Sequence, residues 1–473
     1  MLLMKFLDRN QEMARLERAA VRRAAGLIAL WGRRRVGKTR LLAEWCRRHG
    51  GAYTVADQSA ETVQRRYFAE ALAVKLPGFS DVEYPDWQAL LRRLSSDARK
   101  SGWKGPLVMD EFPHLVASAA SLPSVMQNWI DREAASDGLL VAIAGSSQRM
   151  MQGLLLDASS PLYGRALEAF ALLPIPAGWI GEALKVIDPV RAVMAYAVWG
   201  GIPRYWELAA PFEDALDDAV DALALDPLGP LHTEPDRLLI EETPSALSLR
   251  PLLDVIGNGC NRLSEIAGRL GCPATSLSRP MARLQELGLV SRETPFDETE
   301  KASKRALYRI CDPFFAFWFR VIAPHRGFLA GASREARRHL WRQAKSVLMA
   351  QTWETLCRTA APGLAGDTPG SAGKILWRPA ARWWHGQASE WDVVLATTDA
   401  RRGAIGEVKW SEKPYDDAGI ARIVKAMAAR KLPPGMPKEL TRLVFVPAVC
   451  KQTARMHDGT RVMDAASVLA CLR

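Results

Sequence analysis

What this 473-residue chain lacks narrows its function before any motif is read. Its seven cysteines (Cys46, Cys260, Cys272, Cys311, Cys357, Cys450 and Cys471) are odd in number and never form a close C-x-x-C pair. That pattern supports neither a disulfide framework nor a zinc site legible in the sequence, and a reducing cytoplasm is the expected compartment. The start, MLLMKFLDRN, sets its lysine inside the apolar stretch and reaches Asp8 almost at once, so the basic-then-apolar order of a secretion signal is missing. The longest apolar stretches, such as Gly138 to Gly145, fall far short of the roughly 20 residues that span a bilayer, and no membrane partner is expected. There is no internal repeat, no long low-complexity tract and no legible Ser/His/Asp hydrolase arrangement.

What is present is the composition of a folded protein. With 48% hydrophobic, 24% charged and 8% aromatic residues, disorder is excluded for most of the chain. The length implies about three domains. Lys+Arg 63 against Asp+Glu 52 leaves a net charge of +11, which fits an anionic partner such as DNA. A basic surplus predicts nonspecific binding and solubility as readily.

Leu27 to Trp31, Leu107 to Met109 and Leu139 to Ala144 read as buried strands, and Trp87, Leu90, Leu91 and Leu94 as one helical stripe between them. Strands alternating with helices predict an α/β domain with a parallel sheet. Residues from about Trp179 to Leu225 read as mostly helical, and Asp226 to Arg237 as a Pro-punctuated linker.

Gly32-Arg33-Arg34-Arg35-Val36-Gly37-Lys38-Thr39 follows the first predicted strand and precedes a helix, matching G-x-x-x-x-G-K-[S/T]. Such a loop turns backbone N–H groups around phosphate oxygens, Lys reaches the terminal phosphates of ATP, and the Thr hydroxyl holds Mg2+. Asp110, at the tip of a neighbouring strand, is expected to hold that magnesium through water, and Glu111 to polarise the attacking water. The strand tip Gly145-Ser146-Ser147 lies at the same edge, where either serine would sense the γ-phosphate. Arg165 and Arg204 are candidates for stabilising transition-state charge, and each reads equally well as a solvated surface arginine.

Phe6-x-x-Arg9-x-x-Glu12, GRRRVGKT, LVMDEFPHL, the GSS tip, PLYGRA and WGGIPRYW together resemble the archaeal-type ATPases of archaea and bacteria, within the broad AAA+/STAND group. The resemblance covers nearly the whole chain. It implies a P-loop ATPase core (1–175), a helical lid (176–240), a winged helix (241–322) and a C-terminal domain similar to PD-(D/E)xK nucleases (340–473).

Within the third segment, Leu263, Ile266, Ala267 and Leu270 make one short helix, Gly271-Cys272-Pro273 a turn, and Leu277, Met281, Leu284 and Leu287 the buried stripe of a second helix ended by Gly288. Ser276, Arg279 and Arg283 then face outward, as a DNA-reading helix requires. Pro280 is tolerated if it falls in the first turn. Leu289 to Arg292 and Ala306 to Ile310 read as strands flanking a charged wing. Such modules also serve as protein-binding units and spacers. The run Pro313 to Phe319 reads as core.

The last segment predicts a helix over Gln343 to Thr359, a loop over Ala361 to Gly373, strands at Ile375 to Arg378, Glu390 to Ala396 and Ala404 to Trp410, a helix over Ala418 to Arg430 and a strand at Leu443 to Val446. Alternation places Glu407 and Lys409 on one face, and pairing brings Asp392 beside them. Asp392 and Glu407 would form an oxygen cage for Mg2+ or Mn2+, with Lys409 orienting water or offsetting charge. The resemblance adds Glu354 as a further acid, with Glu390 as an extra. Trp377, Trp383, Trp384, Trp391 and Trp410 read as small-core residues more than base-stacking ones, and His385 as a loop residue or a general base. Arg422, Lys425, Arg430 and Lys431 read as a phosphate-facing or solvated stripe.

The expected function is an ATP-binding and ATP-hydrolysing DNA-associated protein whose nucleotide state controls a metal-dependent nuclease-type domain. The alternative is a nucleotide-gated switch that binds DNA or protein through an inactive nuclease-like domain. A third reading is a STAND-type signalling ATPase that docks protein, and an oligomer is compatible with each.

Overall fold

The computed structural model describes residues 6–21, 26–242, 248–298, 305–366, 376–385 and 390–473. The chain forms two compact units, one of Asp8–Pro174 with Ile202–Arg204, the other holding Ile175–Gly201 and Tyr205–Arg473.

In the first unit, strands β1 (Gly26–Trp31), β2 (Ala52–Val55), β3 (Leu107–Asp110), β4 (Leu140–Gly145) and β5 (Ala166–Ala171) form a parallel sheet in the order β2-β3-β4-β1-β5. Every residue of β1, β3 and β4 is buried, as the continuous apolar runs require of strands covered on both faces. The edge strand β2 buries Ala52 and Thr54 only, and β5 alternates half-buried or buried with exposed positions. Helix Trp87–Ser101 buries Trp87, Leu90, Leu91 and Leu94, the stripe read from the sequence. Asp86 caps it by accepting from Ala89 N, and Gly102 ends it at φ 70°. Because β4 lies between β1 and β3, with Trp31 opposite Gly145 and Met109 opposite Ile143, the carboxyl ends of all three strands share one edge. That edge carries the site.

The second unit opens with helices Ile180–Leu184 and Pro189–Trp199. The stretch read as a linker instead folds into turns and helix Glu234–Glu242. Leu231 and Glu234 are fully buried, Tyr205 donates to Glu234, and Asp226 pairs with Arg337 at 3.1 Å, so its prolines mark turns within a packed segment. Helices Arg250–Gly257, Leu263–Leu270 and Ser278–Glu286 follow, then the antiparallel hairpin β6 (Val290–Glu293) and β7 (Leu307–Ile310). Residues 299–304 of the expected wing lie outside the described residues. Helix Ser278–Glu286 starts after a short 3-10 turn, so Pro280 sits in its first turn, where no backbone bond is lost. The aromatic run is core: Phe314, Phe315, Phe317, Trp318 and Phe319 are fully buried, Phe317 meets Trp341 edge-on at 5.4 Å, and Trp318 donates to the His232 carbonyl.

Helix Arg334–Leu364, capped by Ser333, is longer at both ends than the sequence indicates. A mixed sheet follows: β8 (Ala381–Trp383), β9 (Trp391–Ala396), β10 (Arg402–Val408), β11 (Glu439–Phe445), β12 (Met456–His457) and β13 (Thr460–Met463), in the order β12-β13-β11-β10-β9-β8. β9 and β10 are antiparallel; β10, β11 and β13 are parallel. The expected α-β-β-β-α-β order is present, with helix Asp417–Ala428 before β11 and a further hairpin and helix Ala465–Cys471 after it. The strand expected at Ile375 to Arg378 is displaced to β8. Residue 375 and most of the expected 361–373 loop lie outside the described residues, while Trp377 forms a lone bridge with Thr397. No helix among the described residues is long and apolar enough to cross a membrane.

Candidate nucleotide site and C-terminal carboxylate cluster

The loop between β1 and helix Lys38–Arg48 has three left-handed residues, Gly32 (φ 152°), Arg35 (φ 68°) and Gly37 (φ 102°). At Gly32 a Cβ would lie 2.6 Å from the Leu172 carbonyl oxygen, so only glycine fits. Val36 is buried, and its carbonyl accepts from Arg9, which is itself paired with Glu12 at 2.9 Å. Arg33 and Arg34 are half-buried along the loop. The buried Lys38 curls back onto it, donating to the carbonyls of Gly32 (2.8 Å) and Arg33 (3.2 Å).

Thr39, at the first turn of the helix, donates to Asp110 Oδ2 at 2.7 Å. Tyr53 on β2 donates to the same oxygen, and burial together with the Asp110 charge pushes its phenol far above the ordinary range, so the hydroxyl stays a donor. Glu111 holds left-handed backbone (φ 52°, ψ 41°), a strained conformation for this residue type. Its carboxylate accepts from Ser146 at the tip of β4, through Oγ at 2.8 Å and N at 3.2 Å. Ser147 instead occupies the N-cap position of helix Gln148–Leu156 without a side-chain cap bond. Lys38, Thr39, Asp110, Glu111 and Ser146 thus converge at one sheet edge.

The two arginines separate. Ile202–Arg204 belong to the first unit, and a Cβ on Gly37 would lie 3.8 Å from Pro203 Cγ, so Arg204 is held beside the phosphate loop. Arg165 is not brought there. It precedes β5, whose Ala166 pairs with Leu27 at the start of β1, so it sits at the amino-terminal edge of the sheet. At 3.3 Å per residue the length of β1 separates it from its own loop by roughly 15 Å. It is held by Asp131 through bonds of 2.9 to 3.1 Å, so of the two candidate arginines only Arg204 lies beside the loop of its own chain.

In the second unit, Val393 on β9 pairs with Gly406 on β10, which sets Asp392 next to Glu407. Asp392 accepts from Val408 N at 2.9 Å, and Glu407, 2% exposed, is reached by Lys409 Nζ at 2.6 Å. Burial, then the neighbouring Glu407 and Glu354, push Asp392 up to about 6 against the pull of Val408 N–H and Lys409. Glu354, on helix Arg334–Leu364, lies 3.6 Å from Arg358 and 3.9 Å from Arg309 of β7. Glu390 turns to Arg382 at 3.0 Å. Arg430 does not join a surface stripe with the exposed Arg422, Lys425 and Lys431; its guanidinium takes both oxygens of Glu407, at 2.5 and 3.0 Å. As arranged, the Glu407 oxygens of the expected cage are taken by Arg430 and Lys409, while Asp392 Oδ2 accepts from Val408 N. No group of three or more His, Cys, Asp or Glu among the described residues is disposed to hold a metal ion.

Of the tryptophans, Trp384 and Trp391 are buried and Trp410 packs 6.2 Å from Trp353, while His385 is exposed. Sequence reasoning missed Tyr53, Arg358, Arg309 and the true partner of Arg430. Arg358 carried a readable signal, since it stands four residues after Glu354 on a helix. Tyr53 and Arg309 reach their partners only through strand order and packing.

Residues 6–173 match a family described as an ATPase domain predominantly from Archaea. Residues 318–421 match one described as archaeal and bacterial proteins of unknown function. An uncharacterized protein of Methanocaldococcus jannaschii is 26% identical over 423 residues, 89% of this chain and 90% of that one. A Walker-type ATPase of Pyrococcus abyssi shares the fold over 67% of this chain and 96% of its own, with 19% identity and a TM-score of 0.53. The ORC2 protein of Aeropyrum pernix aligns over 74% of this chain and 96% of its own, with 13% identity and a TM-score of 0.45. Residues 6–173 are thus similar to the ATPase domain found predominantly in archaea, joined in one chain to a region that matches archaeal and bacterial proteins of unknown function.

Proposed function

We propose that this chain is an ATP- and Mg2+-dependent ATPase that associates with DNA, and that its nucleotide state controls the nuclease-type C-terminal region. The observation that carries the first half is the bonded row Thr39–Asp110 and Glu111–Ser146 across the ends of three adjacent strands, beside a glycine-dependent loop. The Thr39 hydroxyl and Asp110 carboxylate, 2.7 Å apart, are the hard oxygen donors that magnesium takes alongside nucleotide phosphates. Bound there, the ion supplies charge neutralisation at the transferred phosphoryl group. Lys38 exchanges its two loop carbonyls for the terminal phosphates. Glu111, oriented by Ser146, aligns the attacking water and accepts its proton, and Arg204 meets charge developing near Gly37.

Phosphate release by purified protein tests this. Lys38→Ala should abolish it, and Glu111→Gln should retain nucleotide while losing turnover; Lys38→Ala behaving as wild type overturns the reading. The DNA half rests on the net charge of +11 and on the exposed Ser276 and Arg279 at the start of helix Ser278–Glu286. Contacts to several phosphates make affinity fall steeply with salt, so binding insensitive to ionic strength rejects it.

A second reading, in which the C-terminal region binds without cutting, is favoured by the Arg430 fork on Glu407. Strand breakage in Mg2+ or Mn2+ that Asp392→Ala abolishes, with ATP hydrolysis retained, rejects that reading. Phosphate release without breakage upholds it.

A further inference from the structure

We propose that the second unit carries a separate pocket for a small phosphate-class anion. A cavity of about 230 Å3 lies where helix Pro189–Trp199, helix Arg250–Gly257, β7 and helix Arg334–Leu364 meet. Its walls include two arginines, Arg309 and Arg320, and no aspartate or glutamate. Such a surplus of positive charge in a half-enclosed space is a binding field for an anion.

Arg309 is loosely paired with acids of the fold, and Arg320 is not. Arg320 is half-buried and has no ion pair among the described residues. Arg309 has a buried Nε with no hydrogen-bond partner. Its nearest carboxylates lie at 3.4 Å (Glu293, equally unpartnered at Oε2) and 3.9 Å (Glu354). Both contacts are longer than a good charge-assisted hydrogen bond, so the Arg309 guanidinium keeps bonding capacity that an oxyanion in the cavity would use. The closest acid in sequence, Asp312, is committed to capping the following helix through Phe315 N.

The remaining lining sets the ligand class. Tyr196, Asn261, Gln351 and Thr352 offer donors, and burial keeps the Tyr196 phenol protonated. Guanidinium forks and several donors suit a phosphate group, which presents three or more acceptor oxygens. The volume is below the roughly 300–1,000 Å3 of pockets that hold drug-sized ligands, which favours inorganic phosphate or pyrophosphate, or the phosphate end of a small metabolite, over a nucleotide. Arg309 also faces Glu354, so an occupant would draw on the same guanidinium that neighbours the carboxylate cluster.

The test uses the full chain carrying Lys38→Ala, which disables the phosphate loop, and titrates inorganic pyrophosphate by calorimetry. Saturable binding is expected, and Arg320→Gln should weaken it roughly tenfold or more, the size of one lost charge-assisted hydrogen bond. Gln351→Glu, which sets an acid on the wall, should weaken it as much, and decides the matter if Arg320→Gln fails to fold. No saturable binding, or binding untouched by these changes, overturns the proposal. Malonate binding as tightly as pyrophosphate overturns the phosphate assignment, and glucose 6-phosphate binding more tightly places the phosphate on a metabolite.

Discussion

Arg430 closes on Glu407 with both arms of its guanidinium, at 2.5 and 3.0 Å, across the 23 residues that separate them in the chain. Glu407 is 2% exposed and Arg430 half-buried, so losing the arginine leaves a buried carboxylate short of its partner and costs more than losing both groups. Arg430→Gln should destabilise the second unit by about 1–2 kcal/mol, since Lys409 stays on Glu407, while Arg430→Gln with Glu407→Gln recovers part of the loss. Urea unfolding of the four members of this cycle measures it. The same single variant should bind Mn2+ more tightly than wild type in a metal titration, because it vacates Glu407 Oε2 and leaves only Lys409, at 2.6 Å, on Oε1. Unchanged metal affinity would show that the fork does not guard the site.

Asp392 gives this cluster a pH signature. Its carboxyl titrates near 3.8 when unfolded and is pushed up to about 6 when folded. Between those values the folded chain holds a proton that the unfolded chain has released, so stability falls as pH rises through the window. Above about pH 6 the full cost, roughly 3 kcal/mol, stands. Asp392→Asn keeps an acceptor for Val408 N and removes the charge. It should therefore be more stable than wild type at pH 7.5 and no more stable at pH 4. An advantage that is equal at both values would mean that the gain is not electrostatic.

These sites differ in how much of them the sequence displays. The central strands β1, β3 and β4 are legible because burial on both faces leaves continuous apolar runs, and the loop motif follows one of them directly. β2 and β5 are edge strands with mixed exposure, so neither carries a continuous apolar run. Lys38 and Thr39, at a helix start, and Asp110 and Glu111, at a strand end, are legible because each pair lies in a local motif. Arg430, Tyr53 and Arg309 act through partners set by strand order and packing, a long-range relation that residue spacing does not carry. The 226–237 stretch misleads for the opposite reason: its prolines are turn signals, and turns occur inside packed segments as well as between domains.

Ser146 is the side chain whose loss should separate turnover from binding. Its hydroxyl and backbone N–H both meet one oxygen of Glu111, whose own backbone is held left-handed. Ser146→Ala removes one donor and leaves the other, so the carboxylate gains freedom without leaving the sheet edge. The maximal hydrolysis rate should fall roughly 10- to 100-fold while nucleotide affinity is unchanged. Single-turnover phosphate release and equilibrium nucleotide binding, measured side by side, test this. A parallel loss of affinity would place Ser146 on the nucleotide instead of on Glu111.

Arg165 makes a prediction about concentration. It stands at the amino-terminal edge of the sheet, bound to Asp131, while the phosphate loop of its own chain lies at the opposite edge. Within one chain it has no route to the γ-phosphate short of unfolding β5, so Arg165→Ala should leave nucleotide binding unchanged. The rate per molecule of dilute protein should be unchanged as well. If a second copy presents its Arg165 to this site, the wild-type rate per molecule rises with protein concentration and the variant's does not. Mixing inactive Lys38→Ala chains, which keep Arg165, with Arg165→Ala chains, which keep the loop, should then restore turnover. Equal loss of activity in the variant at every dilution would instead mean that the Arg165–Asp131 pair supports the fold of the ATPase unit, a result that its thermal unfolding would confirm independently.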